Sequence, residues 1–398
     1  MSMKYAIVIP DGAGDLPQES LGGRTPFEVA RCPTFDRIAG EGRFGTTCNT
    51  PENLPAGSDV AILSVLGYDP SKIYTGRAPL EALAQGLDIG DHDLVFRCNL
   101  VTVAEGHMID NSSGGISFEE GAALLKDIAA ALGSEKWEFH RGVGYRHLLI
   151  LRGHDGTAVE TTPPHDILEQ PIEKYLPKGA CAGELLRLME SSRSLLAEHE
   201  INRVRRDLGE LPATQIWLWG QGTRPALRHF EQLHGLHGAA ITAVDLVRGI
   251  AKAIGWKVIE VEGATGYLDT NYTGKAAAAI AALDEVDIVL VHVEAPDESG
   301  HEGSAEHKIK AIELIDEKIL RPLLGHMEST YEAWRLMVLP DHLTPLNVRT
   351  HTRDPVPVGI IGTGMSPLVP GPYTEKHAAT SGFRIRVGHE LMEYFLRP

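Results

Sequence analysis

Short, uninterrupted apolar runs separated by helix-like segments set the rhythm of this chain. Tyr5-Ala6-Ile7-Val8-Ile9-Pro10 opens it, and comparable runs return at Ile288-Val289-Leu290-Val291-His292-Val293 and Leu336-Met337-Val338-Leu339-Pro340. Runs of this length without polar alternation predict strands buried on both faces, the texture of a parallel sheet covered by helices. One helix is predicted over 26–41, ahead of a strand near 42–48. Another begins at Ser58, in the N-cap position, carries Val60, Leu63 and Leu66, and stops at Gly67. In the last third, 243–254, 276–283 and 305–320 read as helices, with strands at 257–261 and 287–293. Ile309, Ile312, Ile315 and Ile319 mark the apolar face of 305–320.

The texture changes between about 88 and 235. Strand-like runs (94–103, 147–151, 216–219) and helical ones (118–132, 183–208) alternate there with polar loops rich in Gly, Ser, His and Arg. The pattern predicts a discontinuous domain, 1–87 with 236–398, interrupted by an inserted domain at 88–235. A length of 398 residues agrees, being too long for one ordinary core.

Composition narrows the class. Hydrophobic content of 43% and charged content of 23% are those of a soluble globular protein. No apolar stretch reaches the roughly 18 residues of a membrane span. The first apolar run follows only Lys4 and leads straight into a candidate ligand, so no cleavable leader is expected and the cytoplasm is the default location. Cys32, Cys48, Cys98 and Cys181 form no C-x-x-C pair and read as reduced, mostly buried thiols. The net charge of −17 argues against a nucleic-acid partner, yet leaves room for a small anionic substrate, because clustered arginines act locally. A homo-oligomer is compatible with the sequence.

The candidate chemistry sits where the apolar runs end. The first runs into Asp11-Gly12, the second into Asp297-Glu298-Ser299-Gly300-His301, the third into Asp341-His342, and His351 follows. In an open α/β sheet the ligand crevice lies outside the carboxyl ends of the strands. Three aspartates and three histidines converging there predict a two-metal site, whose carboxylate–imidazole mixture suits Mn²⁺ or Zn²⁺ better than Ca²⁺. Ser58 reads either as a plain helix cap or as a nucleophile. A hydroxyl at a helix N-terminus meets free N–H groups and the positive dipole end, both suited to a phosphoryl group, and a metal on its oxygen favours the alkoxide. The residues alone leave both readings open.

Taken in order, this series resembles the alkaline phosphatase superfamily. Within it, longer segments resemble the archaeal-type 2,3-bisphosphoglycerate-independent phosphoglycerate mutases: NLPAGSDVAILSVLGYDP, YTGRAPLEA, RCNLVT, DNSSGGIS, EVEGATGYLDTNY, DESGHEGSAEHKIKAIE and PDHLTPLNVRTHTRDPVP. The resemblance covers nearly the whole chain. It implies an alkaline-phosphatase-like three-layer α/β sandwich with a smaller inserted α/β domain that holds the substrate. It further implies two divalent metals, Mn²⁺ first with Mg²⁺, Zn²⁺ or Co²⁺ as alternatives, and no 2,3-bisphosphoglycerate. Asp11, Ser58, Asp341 and His342 would bind one ion, and Asp297, His301 and His351 the other. Ser58 would be transiently phosphorylated in an isomerase of glycolysis and gluconeogenesis that interconverts 3-phosphoglycerate and 2-phosphoglycerate.

For such a substrate, a phosphorylated small acid, guanidinium forks are expected, and Arg141, Arg146 and Arg224 are the candidates. Asp110 is the candidate for a glycerate hydroxyl. The chain departs from the longer bacterial mutases in having Gly57 where they have asparagine before the nucleophile, and Gly266 where they carry a lysine. Lys275 is the nearby alternative cation. A phosphotransferase or phosphatase of the same superfamily, acting on another small hydroxy acid such as homoserine, is the alternative, because the insertion sets the substrate.

Overall fold

The structure, a computed structural model, describes residues 3–154 and 158–397. The chain forms two compact units, residues 1–74 with 226–398, and residues 75–225. No helix among the described residues is long and apolar enough to cross a membrane.

The first unit is built on an eight-stranded sheet in the order Lys257–Ile259, Gly238–Ile241, Ile288–Val293, Lys4–Pro10, Trp334–Val338, Val356–Gly362, Arg43–Thr47, Phe383–Ile385. The three apolar runs of the sequence are its central neighbours, all parallel, with Ile7 in register with Leu290 on one side and Met337 on the other. Ile7, Leu290 and Met337 are wholly buried, because helices cover both faces. The sheet is not purely parallel. Val356–Gly362 runs against both its neighbours, since the preceding link contains no crossover helix and the chain doubles back. The start of that strand therefore lies at the same sheet edge as the carboxyl ends of the others.

Several predicted helices are shorter than the periodicity suggests. The 26–41 segment is two helices, Pro26–Val29 and Pro33–Glu41, because Pro33 cannot continue the first but fits the opening turn of the second. The N-terminus of Pro33–Glu41 has no cap of its own; Asp316 accepts from the Thr34 and Phe35 N–H groups at 2.7 and 2.9 Å. Asp316 opens a π-helical turn, Asp316–Leu320, that follows helix Ala305–Ile315.

The second unit is an antiparallel sheet centred on Leu94–Ala104, which pairs with Gln215–Gly222 on one side and Arg146–Leu151 on the other. Its end turns back into His107–Asp110 through Glu105-Gly106, both at positive φ as a two-residue hairpin requires. Helices Phe118–Leu132 and Ala182–Ala197 pack against this sheet; the predicted 183–208 helix breaks before a second, Glu200–Asp207. The sequence puts the domain crossings at 87/88 and 235/236. Helix Arg77–Ala84 buries Ala78, Leu80 and Ala82, and its Glu81 pairs with Arg97 of the central strand at 3.1 Å, which sets it in the second unit.

A buried polar knot holds the loops at the carboxyl edge of the first sheet. The Lys308 ammonium, with no exposed surface, donates to Gly14 O, Asp15 Oδ2 and Thr344 O at 3.1, 2.8 and 2.8 Å. Glu375 accepts from the Asp15 N–H and the Thr25 hydroxyl, and burial raises its carboxyl from 4.5 to about 7. A carboxyl that binds its proton more tightly when folded contributes stability below its unfolded value, lost as pH rises through the folded one. Denaturant unfolding of Glu375→Gln beside the parent should show their difference moving in the variant's favour between about pH 5 and about pH 8. Parallel profiles for the two proteins would contradict this.

Candidate metal centre

Each candidate ligand is delivered by the end of a strand or the start of a helix. Asp11 directly follows Lys4–Pro10, and Gly12 then turns at φ +60. Only glycine fits there: a Cβ would lie 2.4 Å from Asp297 Oδ1. Strand Ile288–Val293 leads into helix Ala295–Glu302, on which Asp297 and His301, four apart, share one face. Asp341-His342 lie in the loop after Trp334–Val338. The Asp341 carboxylate accepts from the N–H groups of Gly12 and His342 at 3.1 and 2.9 Å, so both side chains turn inward. Isolated bridges from Leu343 to Ala13 and to Thr352 stitch this loop to its neighbours and bring His351 alongside.

Ser58 is not the cap of its helix. Gly57 holds the N-cap position and Ser58 is the first residue of Ser58–Val65. Its hydroxyl caps nothing and instead lies 3.0 Å from His342 Nε2. Gly67 follows the helix at φ +85, as the predicted stop.

Two groups of donors result. His342 Nε2 faces Ser58 Oγ, Asp341 Oδ2 at 3.3 Å and Asp11 Oδ1 at 3.5 Å. Asp297 faces His301 Nε2 at 3.2 Å and His351 Nε2 at 3.5 Å, and those two nitrogens are 3.0 Å apart. One ligand atom from each of Asp297, His301 and His351 fits around a common point, as does one from each of Asp11, Asp297 and His342, which makes Asp297 common to both.

The electrostatics call for cations. Asp11, Asp297 and Asp341 are at most 5% exposed. Burial, then the Asp341 and Asp297 charges, push the Asp11 carboxyl well above its usual range. Burial opposes ionisation of Asp297 too, but hydrogen bonds from His301 and His351 hold it well below. The His301 imidazole is raised to about 9, chiefly by its bond to Asp297, while burial lowers His342. Among the described residues Asp11 Oδ1 and Asp341 Oδ2 are buried without a hydrogen-bond partner, although buried carboxylate oxygens are ordinarily satisfied. Two carboxylate oxygens with no hydrogen bond and two imidazole nitrogens facing each other fit divalent cations of the carboxylate–imidazole class.

Partners behind the ligands orient them. His292, wholly buried, places Nε2 2.9 Å from Asp11 Oδ2 and Nδ1 3.3 Å from the Thr242 hydroxyl. His301 Nδ1 faces Arg349 O at 3.0 Å, a contact that leaves Nε2 its lone pair when Nδ1 carries the proton. Thr344 Oγ1 donates to Asp297 Oδ1.

Of the substrate candidates, Lys275 belongs to the first unit and the rest to the second. Lys275 is buried, donates to His292 O at 3.0 Å and is lowered to about 8 by burial; this makes it a prop for the strand end. Asp110, Arg141, Arg146 and Arg224 all belong to the second unit. Asp110 Oδ1 accepts from Ser112 N, Ser112 Oγ and Gly114 N, closing its loop. Arg141 is exposed and stacks on Phe118, Arg146 lies over Tyr145, and Arg224 donates to Ile89 O at 3.3 Å. Sequence reasoning passed over Arg77 and Arg97, although both stand in the quoted segments YTGRAPLEA and RCNLVT. Both pair with Glu81, and the buried Arg97 guanidinium sits 4.4 Å from the Trp219 ring centre.

Known proteins resemble this chain along its whole length. Residues 39–202 match the family model described as 2,3-bisphosphoglycerate-independent phosphoglycerate mutase. A protein of that name from Methanothrix thermoacetophila is 46% identical over 394 residues, spanning 99% of this chain and all of the relative. Among solved structures, a protein of Pyrococcus horikoshii superposes with a TM-score of 0.83 at 30% identity, covering 100% of this chain and 97% of the other. The cofactor-independent phosphoglycerate mutase of Thermoplasma acidophilum gives a TM-score of 0.67 at 25% identity, with coverage of 100% and 99%. A match of this identity along essentially the full length means that the chain belongs to the 2,3-bisphosphoglycerate-independent phosphoglycerate mutase family.

Proposed function

We propose that the chain interconverts 3-phosphoglycerate and 2-phosphoglycerate through a phosphoserine at Ser58, with no bisphosphoglycerate cofactor. The observation that carries this reading is the position of the Ser58 hydroxyl, on the first helical residue, uncommitted to capping and 3.0 Å from His342 Nε2. The positive dipole end of that helix favours an arriving phosphoryl group, although the Val60 N–H is taken by Asp59 Oδ1 at 3.0 Å.

In the first half-reaction Ser58 Oγ bonds to phosphorus, the bond from phosphorus to the glycerate oxygen breaks, and that oxygen takes up the proton the serine has lost. In the second, the other glycerate hydroxyl attacks the phosphoserine, Ser58 Oγ leaves, and the proton returns to it. Two divalent ions, Mn²⁺ in the first instance, held by Asp11, Ser58, Asp341 and His342 and by Asp297, His301 and His351, supply the positive charge that the phosphoryl oxygens and an ionised serine need. The arginines of the second unit, the buried Arg97 and half-buried Arg77 before the exposed Arg141, Arg146 and Arg224, match the acid groups of the substrate, and Asp110 one of its hydroxyls.

A coupled enolase assay with Mn²⁺ tests the reaction; release of inorganic phosphate without mutase turnover would sink the reading in favour of a phosphatase. Ser58→Ala should abolish turnover while leaving the thermal unfolding temperature of the metal-free protein close to the parent's. Full residual activity in it would remove Ser58 from the mechanism. Calorimetric titration should find about two Mn²⁺ ions per chain and a raised unfolding temperature on saturation. His292→Phe, which strips Asp11 of its buried partner, should weaken Mn²⁺ binding by roughly 10–100-fold. Unchanged affinity would show that Asp11 needs no such support.

A further inference from the structure

The loop that carries Asp11 also borders a second space. Asp15, Leu16 and Pro17 form part of the wall of a cavity of about 770 Å³ in the first unit, lined by none of the seven metal-centre residues. That volume falls within the ~300–1,000 Å³ typical of small-molecule sites. Leu343, Pro355 and Ala379 complete its apolar walls.

Its charges are unevenly committed. Of its acids, Asp15 is paired with Lys308, Glu375 accepts from Thr25 and Asp15, Glu28 accepts from the Thr25 N–H, and Asp354 accepts from Thr352. Its cations, Lys376, Arg384 and Arg386, are exposed, and their side chains have no hydrogen bond or ion pair among the described residues. Arg384 lies on the edge strand Phe383–Ile385, in register with the wall residue Thr46, and Arg386, just past the strand's end, lines the same cavity. Hydrogen bonds from neutral groups leave Glu28 and Asp354 charged, but the three cations have no partner among the described residues, and guanidinium and ammonium groups beside an apolar hollow suit an anion with an apolar body.

The cavity is wired to the metal centre by contiguous contacts. Asp15 on its wall pairs with Lys308 at 2.8 Å, Lys308 donates to Thr344 O at 2.8 Å, and the Thr344 hydroxyl donates to Asp297. Leu343 on its wall is the residue after His342. We propose that this cavity is a second binding site, for a small organic anion with an apolar body, and that its occupancy is felt at the metal ligands through Asp15, Lys308 and Thr344. Coupling of this kind is reciprocal: what shifts anion affinity from the metal side shifts metal affinity from the anion side.

The full chain titrated with 1-anilinonaphthalene-8-sulfonate, an aromatic anion that fluoresces when sheltered from water, tests the site. The parent should show one saturable site. The double variant Arg384→Glu with Arg386→Glu, and separately Ala379→Trp, which fills the hollow from an exposed helix position, should each weaken it about tenfold or more. No saturable binding to the parent, or equal affinity in all three proteins at unchanged unfolding temperature, overturns the site. The coupling is read by titrating Mn²⁺ with and without saturating probe, where a change in affinity of about fivefold or more is expected. Identical Mn²⁺ affinities overturn the coupling, whereas failure of the mutase assay bears on neither measurement.

Discussion

Three carboxylates held out of water at the ends of three adjacent parallel strands are the constraint to which the first unit answers. Asp11, Asp297 and Asp341 come from Lys4–Pro10, from the helix after Ile288–Val293, and from the loop after Trp334–Val338, and all are buried. Like charges this close, in a medium that solvates them poorly, hold only if something positive shares the space. The imidazoles of His301 and His351 meet that need for Asp297. Asp11 Oδ1 and Asp341 Oδ2 make no hydrogen bond among the described residues and face His342 Nε2, an imidazole that burial keeps from charging, so there the demand for a cation remains.

The scaffold around them keeps that arrangement from relaxing. Gly12 lets the backbone turn where any side chain would strike Asp297. Lys308 ties two loops together with all three of its protons used, and His292, itself held by Thr242, fixes the far oxygen of Asp11. Removing one partner from such a buried network leaves a charge unpaired, so the supports matter to the site as much as the ligands do.

The order of ligands along the chain was readable because each follows a recognisable strand, and ligand crevices lie at strand ends. The supports were harder to see, yet they left traces. His292 is the one strongly polar residue in an otherwise apolar strand, and Lys308 falls on the stripe of Ile312, Ile315 and Ile319, where a surface lysine does not belong. Arg97 was hidden for the opposite reason: a charged residue in a strand reads as solvent-facing, whereas here it is buried against Trp219 and Glu81.

The sequence by itself determined what is local or periodic: the buried central strands, the ligand types and their order, and the Asp297–His301 pair on one helix face. Tertiary structure decided what depends on distant partners. It split 26–41 at Pro33 and capped the second piece from Asp316, moved the cap from Ser58 to Gly57, reversed Val356–Gly362, and turned Lys275 inward to His292 O. Periodicity reports which face of a segment is apolar. It carries no record of which residue, hundreds of positions away, will supply the missing hydrogen bond or charge, and that is settled only when the sheet assembles.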